Sequence, residues 1–244
     1  MSVPIIELGK SGTGKTMSYR NFGEGELAVV NVIGKLLPFF DEPFKVVDVP
    51  SWQGKVEAQK GVRPLALDAV VNYLKGDTPP AVVVDDFGYC ITEMFMRWQD
   101  EPKYQKNKFQ IYTDIASKVY NAFMNVMTDG KVDRIVYWIM HEDQTVDDGV
   151  VPMTVGKLLN EKVNLLGMCT ITLRSMFDGE NGYVFEVSGA NGKTPPEMFK
   201  DSDIERFGDY KVENDLKKID TAIRKKYRKP PNDGKKSTTT KDKE

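Results

Sequence analysis

An α/β fold, a mostly parallel sheet flanked by helices, is the class this sequence predicts, and three observations carry it. Short apolar runs rich in β-branched residues alternate along the chain with stretches of helical period. The runs are nearly continuous in apolar residues, as expected of strands covered on both faces. Three of them end in glycine-rich or polar residues, and parallel sheets bind ligands at the carboxyl ends of their strands.

The chain has 244 residues, 40% of them apolar, which suits one such domain with a sizeable core. A formal net charge of −2 excludes a global basic bias toward nucleic acid. Charge is unevenly placed, with nine Lys or Arg against three acids from Arg224 to Glu244. Cys90 and Cys169 stand far apart in apolar runs and read as buried thiols of a reducing compartment, without metal-ligand spacing. No segment approaches the roughly 20 apolar residues of a membrane span. The first strand begins at the N-terminus and leaves no room for a signal peptide, so a cytoplasmic location is expected.

Val3 to Leu8 is the first expected strand, followed by a short helix from Thr16 to Asn21. Strands are expected over Glu26 to Ile33 and Phe44 to Val49, and a polar loop over Trp52 to Gly61. Leu65, Leu67, Val70, Val71 and Leu74 give Arg63 to Lys75 a helical period that Gly76 ends. Ala81 to Val84 is a buried strand ending in Asp85 and Asp86. Ile91 to Trp98 reads as helix, Asp100 to Lys108 as a surface loop, and Phe109 to Met127 as the longest helix. Arg134 to Met140 is a strand with His141 at its end. Lys157 to Leu166 reads as one helix, and Met168 to Met176 with Tyr183 to Val187 as a C-terminal β-hairpin around Asp178–Gly182. A helix from Glu213 to Tyr227 follows. One domain is therefore expected over 1–210, a C-terminal helix within 211–227, and a basic tail over 228–244 too polar to join a core.

Residues 9 to 16 read Gly9, Lys10, Ser11, Gly12, Thr13, Gly14, Lys15, Thr16. This fits G-x-x-x-x-G-K-[ST], the phosphate-binding P-loop, in its strand-loop-helix context. In a chain of this length the pattern arises by chance on the order of 1% of the time. The glycines let successive N–H groups turn toward a phosphate, and a helix N-terminus adds a favourable dipole. Lys15 is placed to reach the β- and γ-phosphates of ATP, and Thr16 to offer its hydroxyl to Mg²⁺. Lys10 is a second cation in the loop. Asp85, after four apolar strand residues, has the pattern of a Walker B acid holding Mg²⁺. Asp86 either orients the attacking water or backs the metal ligand. His141, the single histidine, is a γ-phosphate contact or a strand-end residue with its own partner. Glu142, Gln144 and Glu57 are weaker candidates, and Arg174 and Arg206 are candidate fingers across a subunit interface. Trp52, Trp98 and Trp138 read as structural.

With these residues in view, the chain resembles the phage-encoded RecA-like AAA ATPases, some of which are single-strand annealing recombinases. Carrying the resemblance are the P-loop near the N-terminus, Val82-Val83-Val84-Asp85-Asp86, the long helix, and Ile139-Met140-His141-Glu142. Asp147-Asp148-Gly149, Pro152 to Leu166 and the final strand pair extend it, over roughly residues 3 to 190. It implies a P-loop NTPase with a RecA-like core, ATP and Mg²⁺ as cofactors, a homo-oligomer, and binding of single-stranded DNA, with a single-strand DNA-binding protein among the partners. It carries Lys15 and Thr16 as phosphate and metal residues, Asp85 as the Walker B acid and His141 as the γ-phosphate sensor. Asp86 departs from the Ser or Thr common in that family, and no DNA-binding loop signature is present. The basic residues Arg224 to Lys229, with Tyr227, offer a candidate DNA contact. Two rival expectations are a small-molecule P-loop kinase, for which Arg97 alone could serve the lid, and a nucleotide-gated assembly protein with little turnover.

Overall fold

The computed structural model describes residues 2–39, 41, 43–130, 133–145, 149–189, 192–193, 199, 202–208 and 210–227. The chain enters through β1 (Val3–Gly9), then makes one 3₁₀ turn (Thr16–Tyr19). It continues through β2 (Leu27–Asn31), β3 (Lys45–Asp48), α1 (Val49–Lys60), α2 (Ala66–Lys75) and β4 (Ala81–Asp85). Next come α3 (Gly88–Trp98), α4 (Pro102–Lys106), α5 (Gln110–Thr128), β5 (Ile135–Gln144) and β6 (Val150–Pro152). The short helices α6 (Lys157–Lys162) and α7 (Leu165–Met168) lead to β7 (Ile171–Asp178) and β8 (Gly182–Glu186). The two-residue strands β9 (Ser188–Gly189) and β10 (Gly192–Lys193) pair with each other. Then β11 (Arg206–Phe207), β12 (Lys211–Glu213) and α8 (Leu216–Tyr227) end the described chain.

The main sheet has the order β11-β12-β8-β7-β1-β5-β4-β2-β3. From β7 to β3 every neighbouring pair is parallel, and the β8, β12 and β11 edge is antiparallel. The α/β class and the mostly parallel sheet are as expected, and the architecture is compatible with a Rossmann-like or P-loop-like fold. The final hairpin belongs to this same sheet, because β7 pairs in parallel with β1.

Strand periodicity sorts the core into two layers. Ile6, Leu8, Val82, Val84, Val136, Trp138 and Met140 face one side, where α2, α3 and α5 cover them. Ile5, Val29, Val83, Tyr137 and Ile139 face the other, covered by Tyr19, Phe22 and the Leu216, Ile219, Ile223 stripe of α8. Phe123 of α5 stacks on Trp138 at 4.3 Å, and Phe87 meets the same indole edge-on at 4.7 Å. Burying each such ring contributes roughly 1.5–3 kcal/mol. Cys90 and Cys169 are buried and form no disulfide with each other.

Several local expectations are corrected. The helix expected from Thr16 to Asn21 is only the 3₁₀ turn Thr16–Tyr19. The loop expected over Trp52 to Gly61 is helix α1. It buries only Val49 and Gln53, so apolar periodicity gave no signal. Its end signals were present instead: Asp48 accepts a hydrogen bond from the Ser51 N–H, and Pro50 sits in the first turn. The loop over Asp100 to Lys108 holds α4, anchored by buried Tyr104, whose hydroxyl donates to Asp114 at 2.9 Å. The single helix expected from Lys157 to Leu166 is broken into α6 and α7. Strand β5 runs past His141 to Gln144, because residues 142–144 pair with β6. Asp147 and Asp148 lie outside the described residues, as does the tail over 228–244.

Candidate functional site

The carboxyl ends of β1, β4 and β5 meet at one cleft. Parallel pairing sets Gly9 beside His141, and Val84, next to Asp85, beside Trp138 of the same strand. The cleft measures about 210 Å³ and is lined by residues of the 9–16 loop together with Lys35, Asp86, His141 and Tyr183. Lys15, Thr16, Asp85, Asp86 and His141, distant in sequence, are thus brought together.

The loop itself is built for close approach. Gly12 and Gly14 adopt φ of 77° and 90°. A Cβ at Gly14 would stand 3.0 Å from the Tyr183 ring, so a side chain there is excluded by conformation and by space. Lys10, Ser11 and Gly12 are exposed, Thr13 and Gly14 half-buried, and the Thr13 hydroxyl donates to the Lys10 carbonyl at 2.8 Å. Lys15 is buried, and its ammonium donates to the carbonyls of Gly9 at 2.9 Å and Lys10 at 2.7 Å. Burial lowers its pKa, against the attraction of Glu7, Asp86 and Asp85.

Asp85 is 1% exposed. Its Oδ2 accepts from the Thr16 hydroxyl at 3.2 Å and from the Tyr19 hydroxyl at 2.9 Å. Its Oδ1 is buried without a hydrogen-bond partner. Burial and the neighbouring Asp86 charge raise its pKa. An orphaned carboxylate oxygen beside a threonine hydroxyl fits a Mg²⁺ ion, which binds through one or two such groups and takes its remaining ligands from water and phosphate. Among the described residues there is no cluster of three or more His, Cys, Asp or Glu that would make an all-protein metal cage.

Asp86 has φ of 61°, a left-handed conformation uncommon outside glycine, and is 2% exposed. Its carboxylate is ion-paired to Lys35 and approached by His141 Nε2 at 3.5 Å. Burial draws the Lys35 pKa down, but pairing with Asp86 carries it above the ordinary value. Burial and the Lys15 charge lower the His141 pKa, so its imidazole is neutral at neutral pH. Its ring stands edge-on to Tyr89 at 6.4 Å.

Beneath the loop lies fully buried Glu7, pushed up to about 8 chiefly by burial. The Asn214 amide donates to Ser175 Oγ at 3.3 Å, and that hydroxyl donates to Glu7 Oε1. Ser18 Oγ lies 3.1 Å from Glu7 Oε2 and donates to the Lys15 carbonyl at 2.6 Å. One proton on Glu7 Oε2, donated to Ser18, completes the chain with every hydroxyl donating once.

Other expected candidates stand apart. Glu142 is not available to a phosphate: Arg174 clamps it through two bonds of 2.8 and 2.9 Å and also reaches Glu186 at 3.2 Å. That pairing likewise removes Arg174 as a free finger. Gln144 is exposed on the β5–β6 hairpin, and Glu57 of α1 pairs with Arg63 beyond the helix end. Arg206 is exposed on β11, at the sheet edge. Arg224 bonds Asp220 and the carbonyls of Pro80 and Asp133, so it ties α8 to the sheet. Sequence reasoning missed Lys35, Tyr19, Tyr183 and Glu7. Only Lys35 left a trace, a Gly-Lys pair just beyond a strand's carboxyl end. No protein-family model matches the chain, and no curated protein matches it.

Proposed function

We propose that this chain is a Mg²⁺-dependent ATPase with a RecA-like P-loop core, and that as a homo-oligomer it binds and remodels single-stranded DNA in phage recombination or replication. One observation carries the nucleotide reading. Lys15, Thr16 and the half-orphaned carboxylate of Asp85 converge on one cleft beneath Gly-Lys-Ser-Gly-Thr-Gly-Lys-Thr. Lys15 would exchange two carbonyl acceptors for the β- and γ-phosphate oxygens, which are stronger partners. Thr16 and Asp85 would hold Mg²⁺, which when bound neutralises charge on those phosphates. Asp86 and neutral His141 face the same space, where they would orient the attacking water. The 3₁₀ turn is too short to supply much helix dipole, so phosphate binding rests on loop amides and Lys15. The DNA and oligomer parts follow from the family resemblance.

One observation favours a second reading, a nucleotide-gated assembly protein with little turnover. Asp86 is ion-paired to Lys35, which occupies the carboxylate that would otherwise orient the attacking water. A kinase is disfavoured because Arg97 is committed to the carbonyls of Pro64 and Arg63 and to Glu93.

ATP hydrolysis by the purified chain, with and without single-stranded DNA, tests the proposal. Wild type is expected to turn over and to accelerate with DNA. Lys15→Ala is expected to lose about 100-fold or more. Unchanged hydrolysis in that variant would remove the site assignment. A basal rate indifferent to DNA would remove the DNA part alone. Tight ATP binding with turnover near zero, and oligomers that form only with ATP, would select the second reading.

A further inference from the structure

We infer that Lys35 is a ligand for the terminal phosphate of a nucleoside triphosphate, held in reserve by Asp86 until the nucleotide enters. This deepens the nucleotide reading above and rests on it.

Asp86 stands in the wall of the cleft and Asp85 lies behind Thr16, both nearly fully buried. Lys15 alone would leave these two neighbouring carboxylates in excess, which repels a polyphosphate. Lys35 is the second cation that lines the cleft, and it restores neutrality.

Asn31 ends β2 directly beside Asp85. Its side-chain oxygen accepts from the Gly34 N–H at 3.0 Å, and its amide donates to the Lys35 carbonyl at 2.7 Å. One side chain therefore clasps the turn from both sides. Gly34 has φ of 67°, and a Cβ there would meet Asp48 Oδ2 at 2.6 Å and Pro50 at 3.0 Å. The backbone of Lys35 is fixed, while its side chain is 45% exposed and extends to Asp86. Of this pair the carboxylate is covered and the lysine is not. This one is open to the cleft, and its ammonium can rotate from Asp86 to an incoming phosphate.

The two lysines then divide the work. Lys15 rises from the loop, and Lys35 approaches from the β2 turn on the Asp86 side. A diphosphate would engage Lys15 alone. A triphosphate would engage both, so Lys35 distinguishes the two nucleotides.

Calorimetric titration of the full chain with Mg-ATP and with Mg-ADP tests this, using wild type, Lys35→Met and Lys35→Arg. Methionine keeps the aliphatic stem and removes the charge. The expected result is a loss of about tenfold or more in ATP affinity with ADP affinity changed less than about twofold, and retention of the ATP preference by Lys35→Arg. The double variant Lys35→Met, Asp86→Asn removes both charges together, leaves no unpaired buried carboxylate, and is expected to lose the preference equally. Equal weakening toward both nucleotides, or unchanged ATP affinity, would overturn the role of Lys35 while leaving the nucleotide site intact. Wild type that binds neither nucleotide would overturn the underlying reading and this inference together.

Discussion

Asp85 and Asp86 are adjacent, yet the backbone gives them opposite tasks. Asp85 ends a strand and is buried behind Thr16, where Thr16 and Tyr19 hold one oxygen and leave the other without a partner. Asp86 turns into the left-handed region, at a cost on the order of 1 kcal/mol that asparagine would share. That turn sends its carboxylate to Lys35 and His141. The Asp85→Asn variant keeps the size and one acceptor but removes the charge that a cation needs. It is expected to fold, to require far more Mg²⁺ for ATP binding, and to hydrolyse ATP about 100-fold or more slowly. A Mg²⁺ titration of turnover checks this, and an unshifted midpoint would remove Asp85 from the metal's ligands. The acids were legible because they interrupt an apolar run. Lys35 was not, because its relation to Asp86 exists only through the pairing of β2 with β4.

Legibility of the helices followed the physical signal each one carried. Helices α2 and α5 bury a continuous apolar stripe, and their periodicity exposed them. Helix α1 buries almost nothing and is held by its ends, so a search for periodicity read a loop. The same fact makes its cap important. Asp48→Ala removes the acceptor for the Ser51 N–H and is expected to cost about 1 kcal/mol. For a chain of this size that is a fall of roughly 2–4 °C in the thermal midpoint, readable by circular dichroism. No change would mean that packing, not the cap, holds the helix. Asp48 also sits against Gly34, so its loss is expected to loosen the turn that presents Lys35.

Across the molecule, the sheet interior holds one carboxyl group at a energetically costly place. Glu7 is fully buried on β1, next to the hydroxyls of Ser18 and Ser175, and is pushed up to about 8 from 4.5. A carboxyl whose folded pKa is raised binds its proton more tightly in the folded state. The stabilisation is complete below about pH 4.5 and is lost as pH rises toward about 8. The loss is on the order of 5 kcal/mol across that window. Glu7→Gln mimics the protonated group, with its oxygen accepting from Ser175 and its amide donating to Ser18. Urea unfolding at pH 5, 7 and 9 is expected to show a shallower decline for Glu7→Gln than for wild type, with the variant the more stable at pH 9. Parallel declines would mean that Glu7 does not carry this linkage. No described helix is long and apolar enough to cross a membrane, in keeping with the absence of an apolar span in the sequence.

Sequence alone determined what local composition can encode. Apolar β-branched runs specify buried strands, a three- and four-residue apolar period specifies helices, and a glycine-rich stretch ending in Lys15 and Thr16 marks a phosphate loop. Strand ends that carry acids and a histidine point to one edge of a parallel sheet. Only the tertiary structure decided which strands are neighbours, and with that everything relational about the cleft: Lys35 on Asp86, Tyr19 on Asp85, Tyr183 over Gly14, Arg174 drawn away onto Glu142. Such pairings join residues tens to well over a hundred positions apart, and their energies depend on distance and burial. Neither quantity exists until the chain has folded.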